Sequence, residues 1–243
     1  MPRFFVSKED ERDGAFLLSG ETARHISRSL RMAVGDAVTL SDGEGNEYLC
    51  HLTAFTEDTV TAEIDTRRVG ASEPTVRITL FQGYPKSDKL EYIIQKAVEL
   101  GASEIVPFYS EYCVKRPEAS RFDKIRERQQ RIADEAAKQC GRCRLPRVSS
   151  PVGYKEMLQK AAESELVLFC YEGEDSRSVK AVLPEKAPES IAVIIGSEGG
   201  FSLKEAEEAR LSGALSVGLG PRILRAETAG PCALSVLSFA YEM

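Results

Sequence analysis

The sequence predicts an α/β protein of two domains, a small β-barrel over residues 1–70 and a larger α/β domain over residues 74–243. Two observations predict this division. Short strand-like runs separated by turn residues fill the first part of the chain, whereas apolar runs alternate with helical patterns from Val76 onward. Between them, V-G-A-S-E-P at 69–74 is rich in small residues and ends in proline, which is typical of a linker.

Five short runs form the predicted barrel. Each is bounded by turn residues and contains the β-branched or aromatic side chains that favour strands. The runs are residues 4–6, 15–18, 37–40, 48–55 and 59–64. The sequence S-D-G-E-G-N at 41–46 has the composition of a hairpin loop, and residues 23–30 form a single helical stretch.

The second domain has the alternating pattern of a mostly parallel sheet with helices between its strands. Its candidate strands are continuous apolar runs, as expected for strands buried on both faces. They are residues 76–81, 105–109, 166–171, 191–195 and 214–219. The first helix carries apolar residues at helical spacing from Leu90 to Leu100 and ends at Gly101, and these apolar residues belong to the core.

Composition excludes several classes of protein. With 243 residues, 42% of them hydrophobic, the chain can build its cores without cross-links, and its six scattered cysteines are expected to be free thiols. Cys140 and Cys143 form a lone C-x-x-C, and both histidines, His25 and His51, lie far upstream, so we expect no metal site. Residues 1–11 lack an export signal, and no apolar run reaches the roughly 20 residues of a membrane span. We therefore expect a cytoplasmic protein that binds no membrane.

The charge of the chain is unevenly distributed. Its net charge of −6 argues against a protein that coats nucleic acid indiscriminately. Residues 114–147, however, contain eleven Lys and Arg against five Asp and Glu, a local charge of +6 that leaves −12 for the rest. Such a segment is typical of a confined surface for a polyanion, although a solvated helix face has the same composition.

The basic segment contains a predicted helix over residues 121–139 with two faces. One face is apolar and carries Ile125, Ile132 and Ala136. The other face, which we call the basic stripe, carries Arg121, Lys124, Arg128 and Arg131. Long cationic side chains at this spacing can follow a phosphate backbone, so the stripe predicts contact with RNA.

A glycine-rich loop, G-S-E-G-G-F at 196–201, follows the strand at 191–195. Ser202 and Glu205 have the spacing of a capping box, and Phe201 can pack onto Ala206, so the loop leads directly into a helix. Glycines let a ligand approach the backbone, and loops at the carboxyl ends of parallel strands often bind cofactors. The spacing matches neither a dinucleotide fingerprint nor a P-loop, and a tight turn without a ligand explains it equally well.

A second constrained loop, G-L-G-P-R-I-L-R-A-E-T-A-G at 218–230, follows the last strand. It holds Arg222 and Arg225 between a buried strand and the closing helix. Thr228 is the predicted N-cap of that helix, which puts Pro231 in the first turn, where a missing N–H costs little. The two arginines are either surface charges that anchor the loop or groups that act on a substrate.

Six segments of the chain match the motifs of one known family, in the same order along the sequence. They are P-R-F-F-V at 2–6, H-I-S-R-S-L-R-M-A-V-G-D at 25–36, K-L-E-Y-I-I-Q-K-A-V-E-L-G-A at 89–102, E-A-A-K-Q-C-G-R at 135–142, I-I-G-S-E-G-G-F-S at 194–202 and G-L-G-P-R-I-L-R-A-E-T-A at 218–229. Over nearly the whole chain the sequence resembles the ribosomal RNA small subunit methyltransferase E family of the SPOUT methyltransferases. Two departures stand out. Ser197 replaces a usual proline, and Gly230-Pro231-Cys232 replaces an alanine-rich helix start.

The resemblance implies a fold and a function. The fold is a PUA-like N-terminal β-barrel that binds RNA, followed by a SPOUT α/β domain with a deep trefoil knot. Such a knot is rare enough that only the resemblance supports it. The function is S-adenosylmethionine-dependent methylation of N3 of a specific uridine in 16S ribosomal RNA of the small ribosomal subunit, by a homodimer.

The resemblance also implies which residues bind each ligand. The expected cofactor-binding residues are Tyr171, Glu172, Gly173, Gly196, Ser197, Glu198, Gly199, Gly200, Leu219, Gly220, Ile223, Leu224, Thr228 and Ala229. The expected RNA contacts are the four residues of the basic stripe together with Arg3, Arg24, Arg28, Arg31 and Arg142.

The chemistry of the reaction assigns roles in the two loops. A sulfonium methyl is already activated, so the enzyme mainly aligns the displacement and favours the anion of uracil N3. Arg222 or Arg225 is expected to stabilise that anion, and Glu198 or Glu227 to accept the proton. The alternatives are a SPOUT enzyme that acts on another RNA site or on ribose, and a ribosome-assembly factor that binds RNA without catalysis.

Overall fold

The computed structural model describes residues 1–86, 88–114, 116, 118–173 and 176–243. The chain forms two compact units. Unit 1 contains Met1–Glu73 and the later segment Ala137–Leu145, and unit 2 contains Pro74–Ala136 and Pro146–Met243. Residues 137–145 therefore belong to unit 1, whereas the sequence predicted them in the second domain. No helix of the described residues is long and apolar enough to cross a membrane.

Unit 1 is built on a six-stranded sheet in the order β1-β4-β5-β6-β3-β2. Its strands are β1 Arg3–Phe5, β2 Glu11–Arg12, β3 Ala15–Ser19, β4 Ala37–Ser41, β5 Asn46–Phe55 and β6 Thr59–Val69. β1 runs parallel to β4, and the other neighbours are antiparallel. Two irregularities between β5 and β6 let the sheet curl, because a bulge bends its strand. Within the described residues, the edge strands β1 and β2 do not pair with each other.

The curled sheet of unit 1 encloses one apolar core. Inward residues alternate along β3, where Phe16 and Leu18 are buried and Leu17 is exposed. The predicted helical stretch begins earlier than expected, as α1 Gly20–Arg24, and continues into a π turn at His25–Ser29. This segment contributes Ala23 and Ile26 to the core.

Glu73 explains why residues 141–145 belong to unit 1. Its carboxylate accepts hydrogen bonds from the backbone N–H groups of Cys143 and Arg144, both at 2.9 Å, and from the Arg142 guanidinium at 2.9 Å. Arg142 is only 4% exposed. Ser41 Oγ also donates to the Cys143 carbonyl at 2.9 Å. These contacts join segments about 70 and 100 residues apart, which sequence periodicity does not reveal.

Unit 2 contains a parallel sheet in the order β10-β8-β7-β13-β11-β14-β12, with β9 beside β8. Its strands are β7 Arg77–Gly83, β8 Ala102–Tyr109, β9 Arg147–Val148, β10 Val152–Gly153, β11 Leu166–Cys170, β12 Arg177–Ser178, β13 Ser190–Ile195 and β14 Leu215–Gly218. Every described pair is parallel. All six residues of β13 are buried, so β13 lies at the centre of the core. The carboxyl ends of these strands share one edge of the sheet.

In the part of the chain that the structure describes, six α-helices accompany this sheet. They are α2 Lys89–Glu99, α3 Phe122–Cys140, α4 Tyr154–Ala161, α5 Val179–Val182, α6 Leu203–Leu211 and α7 Ala226–Tyr241. α2 buries Leu90, Ile93, Ile94, Ala97 and Val98, as its periodicity predicts. α7 packs on both α2 and β13. α3 starts in unit 2, and its last residues, from Ala137, belong to unit 1.

The start of α7 differs from the prediction. The helix begins at Ala226 with Arg225 as its N-cap, so the assignment of Thr228 as N-cap was wrong. The backbone N–H groups of Thr228 and Ala229 both donate to the Arg225 carbonyl at 2.8 Å, which places Thr228 inside the first turn. Pro231 therefore lies inside the helix, beyond the first turn.

Candidate active site

A pocket of about 310 Å³ lies in unit 2 at the carboxyl ends of three neighbouring strands, β11, β13 and β14. The segments that follow these strands form its walls. It is lined by Cys170, Tyr171, Glu172, Ile195, Gly196, Ser197, Glu198, Gly199, Gly200, Phe201, Val217, Leu219, Ile223, Leu224, Ala226 and Ala229. The two glycine-containing loops of the sequence therefore meet at one cavity.

Eleven of the fourteen expected cofactor-binding residues line this pocket. Three do not: Gly173, Gly220 and Thr228. Gly220 instead has a φ of +123°, which suits glycine in a turn, and Gly173 lies against the ring of Tyr171. Cys170, Ile195 and Val217, at the ends of buried strands, and Phe201, in the glycine loop, also line the pocket but were not predicted, because apolar strand ends and a buried ring carry no polar signal.

The glycine loop is fixed at both ends. The Gly200 N–H donates to the Ser197 carbonyl at 2.9 Å, and Gly200 has a φ of +66°. The predicted capping box is confirmed, because Ser202 Oγ accepts from the Glu205 N–H and the Glu205 carboxylate accepts from the Ser202 N–H at 3.0 Å. Phe201 packs on Phe169 with ring centroids 4.4 Å apart. The loop is therefore pre-formed.

The end of β7 packs against the glycine loop, a support that the sequence did not predict. A Cβ atom on Gly83 would lie 2.4 Å from the Ser197 backbone nitrogen and 2.7 Å from the Gly196 carbonyl carbon. Gln82, which is fully buried, donates from Nε2 to the Gly196 carbonyl at 3.2 Å. The only signal in the sequence was a polar residue and a glycine at the end of an apolar run.

One polar atom in the pocket points to a polar ligand. Ser197 is 8% exposed, and its Oγ has no hydrogen-bond partner among the described residues. Buried hydroxyl groups are nearly always hydrogen-bonded, so this atom fits a bound ligand group. Apolar side chains such as Ile195, Leu219 and Leu224 line the same pocket. The pocket thus suits a ligand with both apolar and polar parts, held partly by loop backbone.

The two candidate proton acceptors are joined by one lysine. Lys89 Nζ lies 3.2 Å from Glu198 Oε1 and 3.1 Å from Glu227 Oε2. The Lys86 N–H donates to both oxygens of Glu198, at 3.1 and 3.2 Å. Burial raises the pKa of Glu198, but backbone N–H groups and Lys89 outweigh it and hold that pKa below its ordinary value. Hydrogen bonding to its own backbone N–H, then to Lys89, likewise lowers the pKa of Glu227.

The two candidate arginines are exposed and do not line the pocket. Among the described residues, neither forms a salt bridge within 4.0 Å. Arg225 has a fixed backbone because its carbonyl caps α7, and its charge contributes to the lowered pKa of Glu227. Arg222 lies in the exposed turn that leads to Ile223. Both side chains are therefore available to a ligand that approaches from solvent.

The basic stripe is exposed along its length, with Arg121 in the turn just before α3 and the other three residues on the helix. Arg128 pairs with Glu91 at 2.9 Å, and Arg121 lies 3.7 Å from Glu118. Within the described part of the chain, Lys124 and Arg131 form no salt bridge. The opposite face differs from the prediction in detail. Ala136 is buried, but Ile125 and Ile132 are only half-buried, and Gln129 and Ala133 complete the buried face.

The other expected RNA contacts lie in unit 1. Arg24, Arg28 and Arg31 are exposed on or just after the α1 segment. Arg3 is half-buried and pairs with Glu47. Arg142 is buried against Glu73. Arg142 therefore anchors the segment Ala137–Leu145 within unit 1. It does not face solvent, as a residue that contacts RNA would.

The described residues contain no group of three His, Cys, Asp or Glu side chains that could hold a metal ion. Cys143 is buried, and Cys140 is half-buried at the end of α3.

Comparisons with known proteins cover the same regions. A family profile described as an RNA methyltransferase domain matches residues 72–238, and one described as an RNA methyltransferase PUA domain matches residues 18–65. The Ribosomal RNA small subunit methyltransferase E of Bacillus subtilis is 33% identical over 251 residues, covering 100% of this chain and 98% of its own. That of Mesomycoplasma hyopneumoniae is 32% identical, with 94% and 95% covered.

A solved structure agrees with these sequence matches. The Ribosomal RNA small subunit methyltransferase E of Neisseria gonorrhoeae, bound to S-adenosyl methionine, is 29% identical to this chain. It superposes with a TM-score of 0.86, covering 99% of this chain and 98% of its own. The likeness therefore extends over both units.

Proposed function

Because this chain belongs to the ribosomal RNA small subunit methyltransferase E family, we propose that its unit 2 pocket binds S-adenosylmethionine for the methylation of ribosomal RNA. The observation that carries this proposal is the meeting of the two glycine-containing loops at one pocket, at the carboxyl ends of β11, β13 and β14. The chain is an S-adenosylmethionine-dependent ribosomal RNA methyltransferase. Its unit 1 contains a PUA-like domain.

S-adenosylmethionine, when bound, supplies an activated methyl group. The pocket offers apolar contacts from Ile195, Leu219 and Leu224 and backbone groups of residues 196–200. Ser197 Oγ would hydrogen-bond a polar group of the ligand, because it is buried and has no partner among the described residues. The pre-formed glycine loop lowers the cost of binding, since little chain is ordered when the ligand arrives.

We propose N3 of a uridine in 16S ribosomal RNA as the methylated atom. Loss of the N3 proton leaves negative charge on the uracil ring, which an exposed arginine, Arg222 or Arg225, can stabilise. Glu198 and Glu227 are charged at neutral pH, because their pKa values are lowered. A lowered pKa makes a carboxylate a weaker base, so we assign the larger share of catalysis to the arginine, while Glu198 or Glu227 accepts the proton that leaves N3.

RNA contacts are proposed for both units. In unit 2 the basic stripe presents Lys124 and Arg131 to solvent, and in unit 1 the exposed cations are Arg24, Arg28 and Arg31. Cations spread over several elements can engage phosphates along a folded RNA. The small ribosomal subunit is the proposed context, and the cytoplasm the proposed location.

We also propose that two copies associate through α7. Residues 228–240 carry no charged side chain, yet Phe239 in this segment is 73% exposed. An uncharged, partly exposed helix face is typical of an interface. Sedimentation should give a dimer for the parent chain and a monomer for Phe239→Asp, and a monomeric parent would contradict the proposal.

The trefoil knot of unit 2 is a further proposal. After β14, near one edge of the sheet, the chain returns as α7 to pack on α2 and β13 at its centre. This return is the step in which the chain would pass through a loop. Stretching unit 2 by its ends should leave it shorter than a fully extended chain if a knot tightens, and full extension would contradict the knot.

One experiment tests the function. Ribosomal RNA is isolated from a deletion strain, with and without the restored gene, and digested to nucleosides. The nucleosides are separated and identified by mass spectrometry. We expect 3-methyluridine in 16S ribosomal RNA to disappear and return with the gene. A lost 2′-O-methyl nucleoside would indicate a ribose methyltransferase, and an unchanged set of methylated nucleosides would indicate an assembly factor without catalysis.

The catalytic arginine is identified by Arg222→Lys and Arg225→Lys, which keep charge but lose the planar fork. Single-turnover rates at saturating RNA and cofactor separate chemistry from binding. The variant of the catalytic arginine should bind both ligands normally, transfer methyl slowly and recover partly at high pH, where N3 ionises without help. Full rates for both variants would remove both arginines from catalysis.

A further inference from the structure

Lys89, at the start of α2, joins two loops that are distant in sequence. Its Nζ lies 3.2 Å from Glu198 in the glycine loop and 3.1 Å from Glu227 in the first turn of α7. Glu198 lines the cofactor pocket, and Glu227 lies between the lining residues Ala226 and Ala229. One ammonium group therefore links three segments at the mouth of a single pocket.

The segment before α2 makes a second set of contacts with Glu198, through its backbone. The Lys86 N–H donates to both carboxylate oxygens of Glu198. Hydrogen bonds from a backbone N–H and an ammonium to the same carboxylate fix its orientation, and charged pairs of this kind are stronger than neutral ones. The side chains of Glu198 and Glu227 are 25% and 23% exposed, so both remain within reach of a substrate.

We propose that Lys89 is a positioning residue for methyl transfer, which holds Glu198 and Glu227 charged and at a fixed separation beside the cofactor pocket. This inference rests on the proposed function. Lys89 acts through the two carboxylates and need not touch the RNA. In its absence the carboxylates would face each other without a cation between them, and the glycine loop and α7 would lose their shared contact.

The electrostatics of the cluster agree with this role. The charged groups that face one another are Glu198, Lys89, Glu227 and Arg225, which alternate in sign. Removal of Lys89 leaves two acids and one cation, and a nearby like charge raises the pKa of a carboxyl group. The pKa values of Glu198 and Glu227 should therefore rise in Lys89→Met.

The test compares three variants of the full-length chain. Lys89→Met removes the charge and keeps the length of the side chain, and Lys89→Arg restores a cation. Lys96→Met is the matched control, because Lys96 lies on the same helix, is 31% exposed against 30% for Lys89, and pairs with Glu99 away from the pocket. Carboxyl NMR titration of the cofactor-free protein measures the pKa values of the two glutamates directly. Single-turnover methylation measures the rate of methyl transfer.

In Lys89→Met we expect the two carboxyl pKa values and the acid limb of the rate profile to rise by about one pH unit. At neutral pH its saturated single-turnover rate should fall about tenfold, because the carboxylates are misplaced. Lys89→Arg should recover most of the rate, and Lys96→Met should match the parent.

Unshifted carboxyl titrations in Lys89→Met, or a saturated rate within about twofold of the parent, would overturn the inference while leaving the proposed function intact. A slow Lys89→Arg with normal stability would also overturn it. If Lys89→Met does not fold, the carboxyl NMR titration of the parent chain replaces it. Ordinary pKa values for Glu198 and Glu227 in the parent would then overturn the inference. A parent that methylates no ribosomal RNA would overturn the proposed function and this inference together.

Discussion

Gly83→Ala should damage the unit 2 pocket, because Gly83 packs directly against the glycine loop. The added Cβ would lie 2.4 Å from the Ser197 nitrogen and 2.7 Å from the Gly196 carbonyl carbon. Carbon atoms pack at about 3.5–4.0 Å, so the backbone must move by an ångström or more. Both neighbours are main-chain atoms of the glycine loop and have no rotamer to change. The substitution therefore has to displace either β7 or the loop itself.

The magnitude follows from the tightness of this contact. We expect a loss of about 3 kcal/mol of unfolding free energy, at the upper end of what overpacking costs. For a unit of this size that corresponds to roughly 6–12 °C in the unfolding midpoint. A displaced loop should also weaken S-adenosylmethionine binding by about tenfold, or about 1.4 kcal/mol.

The assay is thermal unfolding with and without S-adenosylmethionine, followed by titration calorimetry on the folded protein. Gly153→Ala is the control, because its Cβ would meet nothing within 4 Å and its φ is not positive. That control should stay within about 1 kcal/mol of the parent. If Gly83→Ala unfolds with the parent and binds the cofactor equally well, the account of β7 as the support of the loop is wrong.

Three further predictions concern other parts of the chain. Lys124→Gln with Arg131→Gln should reduce the slope of log affinity for RNA against log salt concentration by about 1.4–1.8, since each lost phosphate contact contributes about 0.7–0.9. The control, Lys155→Gln with Lys186→Gln, should leave this slope unchanged. Equal slopes in the stripe variant and the parent would contradict the role of the stripe. Burial raises the pKa of Glu73, but Arg142 and two backbone N–H groups outweigh it and hold that pKa below its ordinary value, so this stabilisation is present at neutral pH and lost as the pH falls through the lowered pKa. Glu73→Gln should therefore cost about 2–4 kcal/mol in urea unfolding at pH 7, with Glu57→Gln as the exposed control and an unchanged midpoint as the refuting result. Burial raises the pKa of the Cys170 thiol to about 12, so iodoacetamide should alkylate it far more slowly than glutathione at pH 8 and faster as the pH rises; a rate equal to that of glutathione would exclude the raised pKa.

The sequence by itself determined the main strands of unit 2 and the start of α6. Apolar runs from Val76 onward predicted β7, β8, β11, β13 and β14, because strands buried on both faces must be apolar throughout. Ser202 and Glu205 predicted the start of α6, since a capping box acts within one turn. These signals are local, so a single stretch of chain contains all of their causes.

Two predictions from local signals were wrong, and in the second a distant partner decides the outcome. The start of α7 was misplaced at Thr228 because Thr is a good N-cap by composition, whereas the Arg225 carbonyl accepts the first hydrogen bonds of the helix. Arg142 was assigned to RNA on the evidence of its charge and the family resemblance. Its partner, Glu73, lies 69 residues earlier in the chain, and no pattern in the sequence records that pairing.

Only the tertiary structure brought the parts of the site together. Parallel strands place the loops after β11, β13 and β14 on one edge, and their order in the sheet, which the sequence does not state, makes them neighbours. Gly83 packs against the backbone of the glycine loop, Gln82 donates to the Gly196 carbonyl, and Lys89 contacts two carboxylates. Each residue belongs to the site only because of these partners. Contact distances of 3.1–3.2 Å between residues more than 100 positions apart are set by packing, and packing depends on the whole chain at once.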